Sequence, residues 1–327
     1  MKAIVVTNFD GPDGLRVQDV PDPVSRGAQV IVNVEAVGLN FADVLGTMGK
    51  YPGGPQPPYV CGREFAGTVE GTGEHVMGYT QYGACAEKVA MWPQALFPAP
   101  PQWDAALSAA FPVNFLTAWL AYWQAGLVRA DANDPSPVND RARKRVLIHA
   151  VAGGVGTAAV QIGKLLGLEM YGTASTDEKL RIAADLGLTH GINYTREDYE
   201  AKVLELTGGE GVDAVFDSLA GEHTAKSLRC CAFLGRVILF GSASGERPKF
   251  DVMAMYSKSA SVHGLWLSKL AANTELIGNA LEWMQPRIAE GKLKPLIGAE
   301  FPMEKAAEAF RFMHERRSHG KIVLRLK

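Results

Sequence analysis

The sequence has few cysteines, and their spacing is not that of a metal site. The four among its 327 residues are Cys61, Cys85, Cys230 and Cys231, and no Cys-x-x-Cys pair occurs. This pattern argues against a zinc ribbon and against a secreted domain stapled by disulfides. We expect Cys230 and Cys231 to be small buried thiols in a helix, and the chain to fold in a reducing cytoplasm.

Long apolar runs and a strong charge of one sign are also missing. No apolar stretch reaches the roughly 18 residues of a membrane-spanning helix, and the first apolar run is too short for a signal peptide. With 33 basic and 35 acidic residues, the formal net charge is −2. The basic run at 141–145 is interpreted as a solvent-exposed segment that precedes a strand. We therefore expect no membrane span and no nucleic-acid partner.

The length and the change of pattern along the chain predict two domains. A chain of 327 residues is too long for one ordinary core. Short strand-like segments separated by Gly and Pro turns come first, and a helical bridge begins at Asp104. A polar segment rich in Asp, Asn and Pro, at 129–144, is interpreted as a surface linker.

Strand and helix patterns then alternate. The strand candidates are RVLIHA (145–150), EMYGTA (169–174), HGINY (190–194), VDAVFDSL (212–219), GRVILFGSA (235–243) and SASVHGLW (259–266). Such alternation predicts right-handed βαβ units and a doubly wound parallel sheet. From about Thr274, two helices and the strand KIVLRLK are expected to return to the first domain. The fold class is α/β, with a β-rich domain at 1–124 and 267–327 and a parallel-sheet domain at 125–266.

A glycine-rich turn follows the first strand of the parallel-sheet domain. RVLIHA runs into VAGGVGTAAVQ, which leads into a helix. Glycines in such a turn let the backbone approach a pyrophosphate, whose charge the helix N-terminus stabilises. Val151 replaces the first glycine of the GxGxxG pattern, and similar turns also occur for packing alone. The strand-turn-helix context favours a dinucleotide site. Its residues are Ala152, Gly153, Gly154, Val155 and Gly156.

The end of the second parallel strand distinguishes NAD from NADP. NAD-binding proteins place an Asp or Glu there, about 20 residues after the turn, to bind the ribose 2′-hydroxyl. Here the position falls on or beside Ala174, so no carboxylate at the strand end repels a 2′-phosphate. Ser175, Lys179 and Tyr194 are the candidate phosphate contacts. The predicted cofactor is NADPH.

A second interpretation of the same segment stays open. Ser175 with Glu178 fits a capping box, and Lys179 fits an ordinary surface position on a helix. Asp177 and Glu178 also add negative charge near the proposed phosphate.

Taken together, the motifs resemble a known family. NFAD, CGREFAG, AGGVGTAAVQ, ASTDEK, INY and a terminal GKIVL occur in the order typical of the medium-chain dehydrogenase/reductase superfamily. More narrowly, the whole chain is similar to the zinc-independent quinone oxidoreductase branch, which is related to zeta-crystallin. The resemblance implies a GroES-like β-rich catalytic domain and a Rossmann domain. It places Asn40, Arg63 and Val113 where zinc enzymes carry their catalytic ligands, so no metal is expected.

The resemblance also implies roles for single residues. Asn40 is expected near the nicotinamide and the substrate. Tyr51 is expected to donate a hydrogen bond to the substrate carbonyl or enolate, with plain packing in a turn as the alternative. Asp43 is expected to be a structural acceptor, and Arg63 is expected to pair with Glu64.

Other implied positions lie near strand ends, where parallel sheets bind ligands. The expected cofactor contacts are Thr117, Ser218, Phe240, Gly241 and Ser242. The residues expected at the rim of the cleft are Leu265, Trp266 and Lys321.

Without a metal to polarise a simple alcohol or ketone, an acceptor that takes hydride readily is favoured. The resemblance therefore implies an NADPH-dependent reductase of a quinone or an α,β-unsaturated carbonyl compound. An enoyl-thioester reductase and a cofactor-binding protein without turnover stay open as alternatives. The segment 259–266 is expected to be an exposed edge strand that pairs across a two-fold axis in a homodimer.

Overall fold

Contacts within the chain divide it into two units in the computed structural model, which describes residues 1–129 and 144–326. The first unit comprises Met1–Asn114 and Lys294–Lys327, and the second comprises Phe115–Leu293. The boundaries predicted from the sequence are 124/125 and 266/267. Residues 115–124 and 267–293, which the sequence assigned to the first domain, therefore fall in the second unit. The predicted linker 129–144 lies outside the described residues except at its ends, as does most of the basic run.

The strands and helices are labelled in chain order. The strands are β1 (Lys2–Val6), β2 (Leu15–Asp19), β3 (Val30–Leu39), β4 (Tyr59–Val60), β5 (Glu64–Val69), β6 (His75–Tyr79), β7 (Lys88–Met91), β8 (Leu96–Pro98), β9 (Arg145–Ile148), β10 (Glu169–Ala174), β11 (His190–Asn193), β12 (Val212–Asp217), β13 (Cys231–Leu239), β14 (Ser261–Gly264), β15 (Ile297–Pro302) and β16 (Lys321–Arg325). The helices are α1 (Phe41–Thr47), α2 (Ala105–Ala109), α3 (Pro112–Gln124), α4 (Gly154–Leu165), α5 (Asp177–Leu186), α6 (Tyr199–Leu206), α7 (Glu222–Cys230), α8 (Val252–Ser257), α9 (Leu267–Leu270), α10 (Thr274–Ala289) and α11 (Ala306–His314). Within the described ranges, no helix combines the length and the apolar character needed to cross a membrane.

Mostly antiparallel strands build the first unit. Its larger sheet has the order β15-β16-β3-β5-β6-β8, with β7 paired to β3, and a smaller sheet has the order β2-β1-β4. β3 carries β-branched residues at alternate positions, and its Val32 and Val34 are buried. They pack in one core with Phe65, Phe310 and Ile322. The predicted β-rich unit is confirmed.

The C-terminal strand completes the larger sheet. β16 pairs antiparallel with β3, with Ile322 opposite Leu39, and parallel with β15. The predicted return of the last strand to the first domain is therefore confirmed. This pairing brings Lys321 beside Asn40, which is 281 residues away in sequence.

Parallel strands build the second unit. The sheet has the order β11-β10-β9-β12-β13-β14, and every neighbouring pair runs parallel. Val146, Leu147 and Ile148 are consecutive in β9 and all buried, so both faces of the sheet are covered. The predicted doubly wound sheet is confirmed. β14 lies at one end of the strand order, as expected of an edge strand.

One predicted element differs. Cys230 ends α7, but Cys231 already begins β13 and lies opposite Val212 of β12. The prediction that both cysteines are helical is therefore wrong for Cys231, because the chain passes from helix to strand without a loop. Both thiols are free and buried, as predicted.

The strand order of the second unit reverses direction at one point in its sheet. β9 lies between β10 and β12, so the order reverses at β9. In open α/β sheets, ligands bind outside the carboxyl ends of the strands at such a point. Phe216 of β12 lies opposite Ile148 of β9. The turn after β9 and Ser218, just after β12, are consequently neighbours.

Candidate active site

The turn after β9 leads into α4 without a side-chain cap. Ala150 has a positive φ of 49°, and the Gly153 N–H donates to the Ala150 carbonyl at 2.8 Å. Gly153 is the N-cap of this 12-residue helix and has no side chain to bind the first N–H groups. Those groups have no acceptor within the helix either. The helix N-terminus therefore suits an anionic group such as a pyrophosphate.

Gly156 lets α4 begin close to this turn. A Cβ at Gly156 would lie 2.5 Å from the carbonyl oxygens of both Ala150 and Val151. No larger residue fits without moving the backbone. Close helix packing is one of the roles of glycine in a dinucleotide turn, so the packing and binding interpretations of this segment are compatible.

Beside the turn, β10 ends without an acid. Its last residue is the buried Ala174, whose carbonyl accepts the N–H of Tyr194 at 3.2 Å. Thr176, and not Ser175, caps α5, because its Oγ1 accepts the N–H of Lys179 at 3.2 Å. The capping-box interpretation of Ser175 is therefore wrong. Its hydroxyl does not serve as the helix cap.

Asp177, the nearest carboxylate to this strand end in sequence, is held by two partners. Its Oδ1 accepts a hydrogen bond from Asn193 Nδ2 at 2.7 Å, and its Oδ2 pairs with Arg196 Nη1 at 2.6 Å. The Asn193 hydrogen bond lowers the pKa of Asp177, and Arg196 lowers it further. Arg196 thus offsets the Asp177 part of the negative charge that counted against NADPH. Arg196 is not among the residues predicted from the sequence, where its only signal is a cation two positions after Tyr194.

The ends of β12 and β13 bring predicted cofactor residues together. Ser218 Oγ is buried and has no hydrogen-bond partner within the described structure. A Cβ at Gly241 would lie 2.6 Å from the Ser218 carbonyl oxygen, so the two strand ends touch. Phe240 precedes Gly241, and Ser242 Oγ donates to the Glu246 carbonyl at 3.0 Å. An orphaned buried hydroxyl at this edge is suited to a polar ligand.

Three other predicted residues lie elsewhere in the second unit. Thr117 is buried in α3, and Leu265 is buried just after β14. Trp266 precedes α9 and is partly exposed. The predicted contact of Thr117 with the cofactor, and of Leu265 and Trp266 with a cleft, stay predictions.

In the first unit, Asn40 belongs to a buried polar network. Its Nδ2 donates to Glu64 Oε1 at 2.8 Å, and its Oδ1 accepts from Lys321 Nζ at 2.7 Å. Lys321 also forms an ion pair with Glu64 and donates to Asn114 Oδ1 at 3.2 Å. Glu64 Oε2 accepts the backbone N–H of Val113 at 2.8 Å. Burial raises the pKa of Glu64, and the Lys321 ammonium opposes this shift.

A second buried ion pair lies next to the network. Arg63 Nε is 3.2 Å from Asp43 Oδ1, and Arg63 Nη1 donates to the Gln81 carbonyl at 2.8 Å. The guanidinium carbon lies 3.9 Å from the centroid of the Tyr51 ring and 4.7 Å from that of Tyr82. These distances are within the range of cation–π attraction. Arg63 therefore holds the ring of the predicted catalytic tyrosine.

Two predictions for this region are wrong. Arg63 pairs with Asp43 and Glu64 pairs with Lys321, so Arg63 and Glu64 do not pair with each other. Lys321 is only 2% exposed and lies inside the polar network, so it does not form an accessible rim. The prediction for Asp43 is confirmed, because its Oδ2 accepts the Asn40 backbone N–H at 2.9 Å.

The three positions that hold zinc in related enzymes carry other contacts here. Asn40 is bound within the network, Arg63 is ion-paired, and Val113 contributes its backbone N–H. Across residues 1–129 and 144–326, no three His, Cys, Asp or Glu side chains form a group that could hold a metal ion. This donor set does not fit catalytic zinc, which needs three protein ligands and an open position.

Comparison with known sequences matches both units to one superfamily. Residues 26–85 match the alcohol dehydrogenase GroES-like domain, and residues 154–285 match the zinc-binding dehydrogenase family. The chain is 32% identical over 339 residues to quinone oxidoreductase of Sus scrofa, covering 100% of this chain and 98% of that protein. It is 31% identical over 350 residues to the synaptic vesicle membrane protein VAT-1 homolog of Danio rerio, and the match covers 99% of this chain and 69% of that protein.

Solved structures extend the match to the fold. Quinone oxidoreductase from Thermus thermophilus, solved alone and with NADPH, is 34% identical with a TM-score of 0.84 over 100% of both chains. CurK enoyl reductase is 27% identical with a TM-score of 0.84 over 99% of this chain and 98% of that chain. The predicted family and fold class are thereby confirmed. With its two units, its dinucleotide turn and its non-ligand residues at the zinc positions, the chain belongs to the medium-chain dehydrogenase/reductase superfamily, in its zinc-independent quinone oxidoreductase branch.

Proposed function

We propose that this chain is an NADPH-dependent, zinc-independent oxidoreductase that reduces a quinone or an α,β-unsaturated carbonyl compound. The observation that carries the proposal is the end of β10, which is Ala174 instead of an acid. The nearest carboxylate beyond it in sequence, Asp177, is paired with Arg196. The likeness to a quinone oxidoreductase solved with NADPH supports the same cofactor.

The proposed 2′-phosphate contacts are Ser175, Lys179 and Tyr194, with Arg196 beside them. Lys179 is partly buried, and burial lowers its pKa while Glu178 opposes the shift. A phosphate next to Lys179 would stabilise its charged form and offset that desolvation. Arg196 can exchange its bond to Asp177 for a bidentate bond to phosphate. NADH lacks the phosphate and would gain none of these contacts.

The proposed pyrophosphate contacts are the first N–H groups of α4, from Gly154 to Gly156. Their donors are free of side-chain capping, since Gly153 precedes them. Ser218 Oγ, which is buried without a partner in the described structure, is proposed to bind a ribose hydroxyl or the nicotinamide amide. Thr117, Phe240, Gly241 and Ser242 remain proposed neighbours of the nicotinamide.

The proposed chemistry adds a hydride to the β-carbon of the acceptor and a proton to the resulting enolate. Bound NADPH supplies the hydride. Because the described residues contain no metal ligand set, we assign the negative charge on the carbonyl oxygen to hydrogen-bond donors. We assign this role to the amide of Asn40 and the phenol of Tyr51, whose ring Arg63 holds at 3.9 Å. Enones, enals and quinones accept hydride readily enough for such donors to suffice.

An enoyl-thioester reductase is the second candidate. The likeness to CurK enoyl reductase, at a TM-score of 0.84, favours it specifically. The chemistry at the β-carbon would be the same, and only the group attached to the carbonyl would differ. A long anionic thioester would in addition need basic residues along its path.

A homodimer is proposed through β14 and the apolar surface before it. β14 is the last strand in the order of its sheet, so one of its sides has no neighbouring strand within the described structure. The neighbouring apolar side chains, each more than half exposed, are Phe233, Leu234, Val252, Met253 and Tyr256. Sedimentation equilibrium of the wild type and of the double variant Met253→Lys/Tyr256→Glu tests the proposal. We expect a dimer and a monomer respectively, and a monomeric wild type would refute it.

The proposed location is the cytoplasm. All four cysteines are free thiols and buried, which fits a reducing compartment. A fluorescent fusion expressed in the native cell tests this assignment, and export from the cytoplasm would contradict it.

The decisive experiment is an oxidation assay with NADPH and with NADH against quinones, enals, enones and enoyl thioesters. Products are identified by mass spectrometry, and each reaction is repeated with a chelator. We expect NADPH to be preferred, quinones or enones to be reduced, and the chelator to have no effect.

Other outcomes of this assay would separate the candidates. Turnover confined to thioesters would favour the enoyl reductase. Tight NADPH binding without oxidation of any acceptor would indicate a cofactor-binding protein. Equal use of NADH would contradict the proposed binding site for the 2′-phosphate of NADPH. Inhibition by the chelator would contradict the metal-free chemistry.

A further inference from the structure

The Lys321 ammonium and its three acceptors on Asn40, Glu64 and Asn114 form a buried cluster, here called the cage. Its Nζ pairs with Glu64 and donates to Asn40 Oδ1 at 2.7 Å and to Asn114 Oδ1 at 3.2 Å. An ammonium has three N–H donors, so each acceptor takes one. Lys321 and Glu64 are 2% and 0% exposed, so both groups lie away from bulk water.

The cage is built from four separate segments of the first unit. Asn40 follows β3, Glu64 begins β5, Asn114 lies in the first turn of α3, and Lys321 begins β16. Gly38 makes room for it, because a Cβ there would lie 2.7 Å from Lys321 Cε and 2.9 Å from the Glu64 carboxyl carbon. Loop motion therefore cannot easily rearrange the cage, since sheet strands hold most of it.

This cage determines how the Asn40 amide is turned. Its oxygen faces the Lys321 ammonium and its nitrogen faces the Glu64 carboxylate, at 2.7 and 2.8 Å. A flipped amide would set NH₂ against ammonium and oxygen against carboxylate, so both contacts would become repulsive. Of the four side chains, Asn40 is the most exposed, at 9%. It is therefore the member of the cage with the most surface left for contact with a ligand.

One donor of the amide is still available. The second Nδ2 hydrogen has only the Gly38 carbonyl, at 3.5 Å, which is at the long end of hydrogen-bond distances. The amide oxygen, in contrast, is occupied by the cation. Hydrogen bonding at the oxygen also polarises the amide and strengthens its N–H as a donor.

We propose that Lys321 and Glu64 are positioning residues that lock the Asn40 amide as a donor, aimed at the carbonyl oxygen of the hydride acceptor. This inference rests on the proposed function and deepens it. It excludes the use of Asn40 as an acceptor towards substrate. It also makes the ligand class specific: a carbonyl or quinone oxygen, which becomes more negative as hydride arrives.

A double variant that removes both buried charges at once tests the proposal. Lys321→Met alone would leave Glu64 buried without its cation and would endanger folding, so Lys321→Met/Glu64→Gln is the informative variant. Lys305→Met removes an exposed lysine of the same unit and is the matched control. Asn40→Ala removes the proposed donor itself, and melting temperature and NADPH affinity are measured for every variant.

We expect Asn40→Ala to lower kcat with an enone or quinone by about 100-fold, the loss typical of one oxyanion donor. The charge-neutral double variant should lose about 10- to 100-fold in kcat with NADPH affinity unchanged. Combining all three substitutions should cost no more than Asn40→Ala alone, because the cage acts only through Asn40. Losses that multiply, or full kcat in the folded double variant, would overturn the proposal.

A measurement without turnover separates this inference from the proposed function. In ¹⁵N-asparagine-labelled protein, the Asn40 side-chain NH₂ is assigned from the signal that Asn40→Ala removes. We expect this NH₂ to exchange slowly with water in the wild type and at least tenfold faster in the double variant. Unchanged exchange would refute the locking role even in an active enzyme. If the wild type reduces no acceptor, the proposed function fails while slow exchange still supports the lock.

Discussion

We expect acid to destabilise the second unit through His149. This ring lies at the carboxyl end of β9 and is 2% exposed. Its Nδ1 is 3.0 Å from Thr173 Oγ1, and its Nε2 is 3.1 Å from Ser227 Oγ. Hydroxyls can donate or accept, so they satisfy a neutral imidazole in either tautomer. A charged imidazolium at this place would have lost its hydration without gaining a direct ion pair.

The size of the effect follows from the pKa of His149. Burial lowers this pKa from 6.5 to about 4, with the Asp217 carboxylate opposing the shift and His223 adding to it. Because the folded pKa is depressed, the unfolded chain binds the proton more tightly, and stability is lost as pH falls from 6.5 towards 4. At 1.36 kcal/mol per pKa unit, the full loss is about 3 kcal/mol, of which about 2 kcal/mol occurs by pH 5.

Urea unfolding of wild type and His149→Gln at pH 7.5 and pH 5 isolates this contribution. Glutamine keeps a donor and an acceptor but cannot become charged in this range. We expect the wild type to lose about 2 kcal/mol more than the variant between the two pH values. His75→Gln, at an exposed position, should follow the wild type. Equal losses in wild type and His149→Gln, or an NMR titration midpoint near 6.5 for His149, would refute the reasoning.

Three further substitutions have defined outcomes. Gly156→Ala places a methyl 2.5 Å from two turn carbonyl oxygens, so we expect about 2–3 kcal/mol lower stability and weaker NADPH binding, measured by thermal melting and cofactor fluorescence. Lys179→Glu should raise the KM for NADPH at least tenfold more than that for NADH, and equal effects would remove Lys179 from the phosphate site. Arg63→His should cost about 3–5 kcal/mol by unpairing the buried Asp43. It should bind no zinc in elemental analysis, because the other two ligand positions supply neither imidazole nor thiolate.

Much of the fold could be predicted because its strands carry the signal locally. EMYGTA was predicted at 169–174, and β10 occupies Glu169–Ala174. The regular alternation of strand-like and helix-like segments gives this information without reference to distant parts of the chain. The start of β13 at Cys231 was missed for the opposite reason. Cys231 lies in a sequence with a helical pattern, but its pairing with Val212 of β12 makes it part of the strand. That pairing depends on a distant part of the chain, so the local sequence does not predict it.

The buried charges of the first unit show what a local pattern does not contain. Arg63 and Glu64 are neighbours in sequence, which suggested that they pair. Consecutive residues of an extended chain point to opposite faces, however, so each finds a partner elsewhere. Arg63 meets Asp43 of α1, and Glu64 meets Lys321 of β16. The second partner comes from the far end of the chain, and no spacing rule identifies it.

The buried charges at and beside the zinc positions explain more about the chemistry of this site than the replaced zinc ligands do. A buried carboxylate without a cation is costly, so Asp43 and Glu64 each require a partner. Arg63 and Lys321 are those partners, and each fixes a candidate catalytic side chain. Arg63 holds the ring of Tyr51, and Lys321 holds the oxygen of Asn40. Both cations act through an intervening donor, whereas zinc would bind the substrate oxygen directly. Such indirect polarisation is weaker than that of a Lewis acid, which supports the proposal that the acceptor is already activated by conjugation.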